Sequence, residues 1–348
     1  MEKINLDEII KRSKQGEYKD IAQSGHTNCF GVSNDYVLVK HKSADFAKRF
    51  VEFTRELGND MKCIYTVVDY RVVGEDVYEL QRRARGEHFR VDHTKQDTLD
   101  VIQSNKKALE IQLKKIREGK SNMLIENIKE VYERQIKKYE DYTKTAEYAG
   151  LIDTRKDELK RRYNLLMQMP DKHITDFLES VLILHDHQIE YDSSGNNVLY
   201  DKEKGFAIID LDDCSHRQDF KGNIRTMLDA DNYQTTQVLL GVNQLRSIPE
   251  EDKMETIQMM RKALKRICVA AFNFEHNGKR MTRQIMEQSL STYSKYGINL
   301  TYDEILQEVE RNNGIQEVEK GVIQEQQESA YIDEAQQSTE TQEGDMER

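Results

Sequence analysis

The 348-residue chain has no run of about eighteen apolar residues, which argues against a membrane-spanning helix. Its first residues, MEKINLDEII, lack the basic and apolar regions of a secretory signal, so the expected location is the cytoplasm. Cysteine is scarce: Cys29, Cys63, Cys214 and Cys268 form no pair with zinc-ligand spacing and no disulfide framework, and are expected as reduced thiols in or near the core. Basic residues are in deficit, 52 against 63 acids, so nothing suggests a nucleic-acid partner. Most of the net charge of −11 sits at one end, where residues 310–348 hold eleven acids and three bases. That stretch is rich in Glu and Gln with almost no core formers, and is expected to be a disordered acidic tail. The chain as a whole, at 37% hydrophobic and 33% charged residues, has length enough for two lobes and a sizeable core.

The most informative stretch is His187 to Asp213, HQIEYDSSGNNVLYDKEKGFAIIDLDD. Asn197-Val-Leu-Tyr200 and Phe206-Ala-Ile-Ile209 read as two strands around the turn Asp201-Lys-Glu-Lys-Gly205. Asp192 and Asn197 precede the first strand, and Asp210 follows the second. A hairpin brings its ends together, so the three side chains should converge. One carboxylate can take a hydroxyl proton, while an amide and a second carboxylate suit hard, oxygen-seeking cations: this is the working set of phosphoryl transfer. The same DSSGN and DKEKG are also ordinary turn chemistry, so the hairpin alone fits a plain polar loop equally well.

The five-residue step from Asp192 to Asn197 matches the D-x-x-x-x-N of the protein-kinase catalytic loop, and Asn197 to Asp210 matches the step to its D-F-G aspartate. The chain therefore resembles the protein-kinase-like superfamily. Upstream, Gly25-His-Thr-Asn28 and Phe30-Gly31 resemble the loop that covers the nucleotide, and Val37-Leu-Val39-Lys40 the strand bearing its phosphate-gripping lysine. The resemblance implies an α+β, bilobal fold that uses ATP and Mg2+. In it Lys40 grips the phosphates beneath Gly25 and Gly31, and Glu52 or Glu56 on a helix over Ser43–Gly58 orients Lys40. Asp192 is the base, and Asn197 and Asp210 hold the metal. It further implies that Leu80 guards the back of the nucleotide pocket and that Gln81 to Phe89 form the hinge, with Gln81 and Arg83 beside the nucleotide and Glu87 at the ribose. The departures are specific. H-R-D is Glu190-Tyr191-Asp192, D-F-G is Asp210-Leu211-Asp212, two loop glycines are His26 and Asn28, and no A-P-E element follows Asp210.

The chain divides into an N-terminal helix (1–20), a kinase-like N-lobe and hinge (21–92), an insertion (93–172), a helical C-lobe (173–309) and the tail (310–348). The insertion carries apolar stripes at Leu99, Ile102, Leu109, Leu113 and Ile116, then at Leu124, Ile128, Val131, Tyr132, Ile136 and Tyr139, with a turn at Glu118–Asn122: a long helical hairpin. Its charged face is expected to be solvated, with docking of a partner or of a second copy as the sharper alternative. Strands are expected at Cys63–Val68 and Asp76–Leu80, a buried helix at Ile174–His187, and closing helices around Ala263–Ala271 and Arg280-Met281-Thr282. His185-Asp186-His187 reads as a helix terminus rather than a metal site. The expected activity is that of a divergent protein (Ser/Thr) kinase acting on a hydroxyl. The short segment after Asp210 keeps a small-molecule kinase of the aminoglycoside or choline type open as acceptor class, and the eroded motifs keep a catalytically silent scaffold open.

Overall fold

In the computed structural model the described residues are all but 1–4, 24–26, 42–47, 49–50, 53–61, 64–66, 187–188, 191–196, 210–214, 217–223, 232, 277 and 314–348. Helix α1 (Leu6–Lys14) starts where the Asn5 side chain accepts the Glu8 N–H and ends before Gly16, whose φ of +75° lets the chain reverse. Its apolar residues Leu6, Ile9 and Ile10 fall at helical spacing and are buried.

A five-stranded antiparallel sheet follows, in the order β1-β2-β3-β5-β4, built from β1 (Lys19–Gln23), β2 (Thr27–Gly31), β3 (Tyr36–His41), β4 (Val67–Val73) and β5 (Asp76–Arg82). The turn between β2 and β3 is held by the Ser33 hydroxyl, which accepts the N–H groups of Asp35 and Tyr36. The register pairs Leu38 with Leu80 and Lys40 with Tyr78. Since neighbours along a strand alternate between faces, these four share one face. There α1 packs: Leu6, Ile9 and Ile10 join Leu38, Tyr78 and Leu80 in a single apolar cluster.

Of the strand expected at Cys63–Val68, Val67 and Val68 lie in β4, Cys63 does not, and 64–66 are outside the described residues. Cys63 is instead pinned to the helical lobe. Its N–H donates to Ser180 Oγ at 3.3 Å, its carbonyl accepts Ile208 N at 2.7 Å, and the neighbouring Lys62 pairs with Asp176 and Glu179. Burial pushes the Cys63 thiol up to about 12, and Cys268 is buried and raised as well, so neither is a reactive thiol. Of the helix expected over Ser43–Gly58, Lys48, Val51 and Glu52 are described and helical, with Val51 buried and Glu52 exposed.

A second sheet of three strands, order β6-β8-β9, joins β6 (Glu87–His88) to the hairpin of β8 (Val198–Asp201) and β9 (Gly205–Ile208), while the short β7 (Ile189–Glu190) pairs with β10 (Ser215–His216). Beyond β6 come the two long helices of the insertion, α2 (Lys95–Arg117) and α3 (Ile125–Tyr142), packed on each other as their stripes predict. After the short α4 (Ala146–Ala149) the structure adds α5 (Arg155–Gln168), where the sequence reads as a polar stretch. Its inward positions include Glu158 and Arg162 beside Leu159 and Leu166, so charge interrupts the apolar period that would reveal it. Helix α6 (Asp171–Asp186) is the core of the lobe, with Ile174, Phe177, Leu178, Val181, Leu182 and Leu184 inaccessible. His185 in its last turn lies against Thr226 Oγ1 at 3.0 Å. Helices α7 (Glu250–Phe272) and α8 (Arg283–Ser291) close the lobe. The described residues 300–313 belong to a separate unit, in which 302–313 are helical. Among the described residues no helix is long and apolar enough to cross a membrane.

Candidate functional site

The β8–β9 hairpin forms as its sequence dictates. Asp201 Oδ1 accepts the N–H groups of Glu203 and Lys204, which holds the carboxyl below its usual range, and Gly205 takes the left-handed φ of +84° that closes the turn. At the open end the ladder runs one residue past the strands, with Ile209 N donating to the Asn197 carbonyl at 2.8 Å. Asn197 is buried at 7% exposure and sits directly before β8, so its side chain is fixed by the hairpin rather than carried on a loose loop. The step from Ile209 to Asp210 therefore begins beside Asn197. Asp192 and Asp210 themselves lie outside the described residues, as do Gly25 and Glu56.

On the first sheet Lys40 Nζ is 2.9 Å from Asp76 Oδ2 and 5.9 Å from the centre of the Tyr78 ring. The hydrogen bond to Asp76 raises the Lys40 pKa. Leu80 is 1% exposed, under α1. Gly31 ends β2, where a Cβ would press on Ile21 at 3.3 Å. Gln81 donates from Nε2 to Glu79 Oε2 at 2.7 Å. Arg83 closes the β2–β3 turn, its N–H donating to the Asp35 carbonyl and its guanidinium to the Ser33 carbonyl. Glu87 is exposed on β6. Between Arg82 and Glu87 the chain crosses from one sheet to the other, which is the connection expected of a hinge.

Two features were not foreseen. On the sheet face away from α1, His41 Nε2 lies 3.0 Å from Glu79 Oε1, and both side chains are almost wholly buried. The signal was in the alternation of VLVKH and VYELQ, which puts His41, Glu79 and Gln81 on one face. The second is a cavity of about 470 Å³ between the β6–β8 ladder and α5, lined by Glu87, Phe89, Arg161, Arg162, Tyr200 and Glu203 among others. Arg162 stacks on the Phe89 ring at 4.4 Å and donates to the carbonyls of Phe89 and Gln237. Burial without a hydrogen-bonded carboxylate drops its pKa to about 10.

No family model matches the chain, and no curated protein matches it. Among solved structures it is similar to the GDP and kanamycin complex of APH(2")-IIia, with 13% identity over 89% of this chain and 100% of that one at a TM-score of 0.29. It is also similar to the Cydia pomonella granulovirus kinase PK-1, with 10% identity over 82% of this chain and 84% of that one at a TM-score of 0.30. A third is the aminoglycoside phosphotransferase APH(3'')-Id from Streptomyces rimosus, with 10% identity over 81% of this chain and 95% of that one at 0.31. Overlap this small leaves the site to be judged on its own geometry.

Proposed function

We propose that the chain is a phosphotransferase of the protein-kinase-like kind, moving the terminal phosphoryl group of ATP to a hydroxyl with the help of Mg2+. The observation that carries this reading is the bond between Ile209 N and the Asn197 carbonyl, which joins Asn197 to the residue that precedes Asp210 in the sequence. In this reading the acceptor oxygen attacks the phosphorus, its proton passes to Asp192, and the bond to ADP breaks. Asn197 and Asp210 supply an amide oxygen and a carboxylate, the donors a magnesium ion accepts. Magnesium would neutralise charge on the phosphates. Gln81 and Glu87 border the nucleotide at the crossing between the sheets. Leu80 packs under α1, and Lys40 lies on the same face of the sheet with its ammonium partly exposed beside Asp76.

Asp192→Ala is expected to abolish ATP turnover while leaving the melting temperature within about 2 °C. Turnover unchanged in that variant would remove Asp192 from the mechanism. A protein hydroxyl is the preferred acceptor. The short segment after Asp210 favours a small molecule as the second reading, and labelled ATP offered with protein and with metabolite panels separates the two.

A further inference from the structure

Helix α5 carries a cation that its surroundings leave uncompensated. Arg162 is 3% exposed and lines the cavity between the β6–β8 ladder and α5, whose volume of about 470 Å³ suits a small organic molecule. Its Nη2 donates to the carbonyls of Phe89 and Gln237, and its Nε has no hydrogen-bond partner. With a pKa of about 10 the guanidinium is charged at neutral pH. A charge taken out of water is costly unless an opposite charge meets it, and carbonyl dipoles supply only part of that.

The acids near it are committed elsewhere. Glu158, four residues earlier on the same helix, gives Oε1 to Asp92 N and Arg161 Nη2, and Oε2 to Arg161 Nε. Asp201 Oδ1 holds the turn N–H groups of Glu203 and Lys204. Arg90 and Arg161, which also line the cavity, pair with Asp92. Arg162 is in no ion pair among the described residues. Glu87, Lys202 and Glu203 line the cavity with exposed side chains, so their charges are screened by water. The rest of the wall is apolar: the buried rings of Phe89, 4.4 Å from the guanidinium, and of Tyr200, with Leu165 half-buried beside them. Side chains alternate along β8, so Tyr200 lies on the face away from Asn197, and the cavity is separate from the catalytic end of the hairpin.

We propose that this cavity binds a small monocarboxylate with an apolar body, an aryl or alkyl acid whose carboxylate compensates Arg162 and whose body lies against Phe89, Tyr200 and Leu165. A guanidinium donates to a carboxylate through charge-assisted hydrogen bonds, which are stronger than those it makes to carbonyls. One negative charge matches the one buried cation. The dianion of a phosphate monoester would bring a second charge towards Glu87 and Glu203, while Arg90 and Arg161 are already paired. The site stands or falls independently of the phosphotransferase reading.

The test is a titration of the full chain at neutral pH with benzoate, benzamide and phenyl phosphate, read by ligand-observed NMR. Benzoate and benzamide share a shape and differ in charge, so benzoate is expected to bind about tenfold or more tightly. It is also expected to bind more tightly than phenyl phosphate. Leu165→Trp fills the cavity from a half-buried position and leaves the bonds of Arg162 in place. It is expected to abolish benzoate binding while the ligand-free melting temperature stays within about 2 °C. Arg162→Gln is expected to bring benzoate to the level of benzamide; should that variant fail to fold, the Leu165 variant decides. Equal affinity for benzoate and benzamide in the unsubstituted chain, or no binding of either, overturns the inference. Benzoate binding that survives Leu165→Trp overturns its place in this cavity, and tighter binding of phenyl phosphate overturns the carboxylate class.

Discussion

Asp97 shows how single residues tie the first helix of the insertion to its last. It sits in the first turn of α2 and accepts from the Thr94 backbone N–H and hydroxyl, while the Thr94 hydroxyl accepts the Asp97 N–H, a reciprocal cap. Arg155, at the start of α5, pairs with the same carboxylate and with Asp100. Burial pushes the Asp97 carboxyl up, but the Thr94 bonds and Arg155 outweigh it, and its pKa is lowered on balance. A carboxyl depressed in the folded state contributes stability above its unfolded pKa near 3.9, and loses it as pH falls through the lower folded value. Asp97→Ala is therefore expected to cost about 2 kcal/mol at pH 7, from lost cap and lost ion pair together. In urea titrations the gap from the parent chain should narrow below pH 4; a gap independent of pH would show that the charge does not matter.

At the scale of elements, the crossing from the five-stranded to the three-stranded sheet is the tightest joint. Gly86 stands just before β6 at φ +113°, and a Cβ there would lie 2.3 Å from the Tyr200 carbonyl oxygen, inside the β6–β8 ladder. Gly86→Ala is expected to cost about 3 kcal/mol or more, because both the backbone conformation and the ladder must give. Gly16 has φ +75° with nothing within 4 Å, so Gly16→Ala is expected to cost about 1 kcal/mol. Chemical denaturation of the two variants compares them directly, and equal losses would show that the close approach at Gly86 is unimportant. The hairpin of α2 and α3 and the β8–β9 hairpin were both legible in sequence, because their apolar residues keep a clean period up to a recognisable turn. Helix α5 was not, because Glu158 and Arg162 are buried on it and break its apolar period. Glu158 accepts from Arg161 and from Asp92 N, and Arg162 reaches two carbonyls.

Across the whole molecule, the proposed activity needs the two sheets to act on one nucleotide. A ligand that binds only the folded chain stabilises it by RT ln(1 + [L]/Kd), about 2.7 kcal/mol at a hundredfold excess over Kd. Magnesium with ATP is therefore expected to raise Tm by several degrees in a thermal melt. No shift at millimolar ATP would favour a scaffold working through the Lys95–Tyr142 helices, whose Met123 and Leu124 are exposed at the tip. Cys63 and Lys62 make the two lobes mechanically one unit at this level, through Ser180, Ile208, Asp176 and Glu179.

The sequence by itself determined the local events: where the hairpins turn, that Asn197 stands before a strand, that the insertion is two long helices, and that α1 is amphipathic. These follow from period, turn chemistry and capping, which act over a few residues. Which face of the first sheet α1 would cover was decided only by tertiary packing, because Leu38 and Leu80 on one side and Val37 and Val77 on the other are equally apolar and both faces end buried. That choice put Leu38, Tyr78 and Leu80 under α1 and left His41, Glu79 and Gln81 to the opposite face. A strand's alternation separates two sets of side chains, and only the partner that arrives says which set is inside.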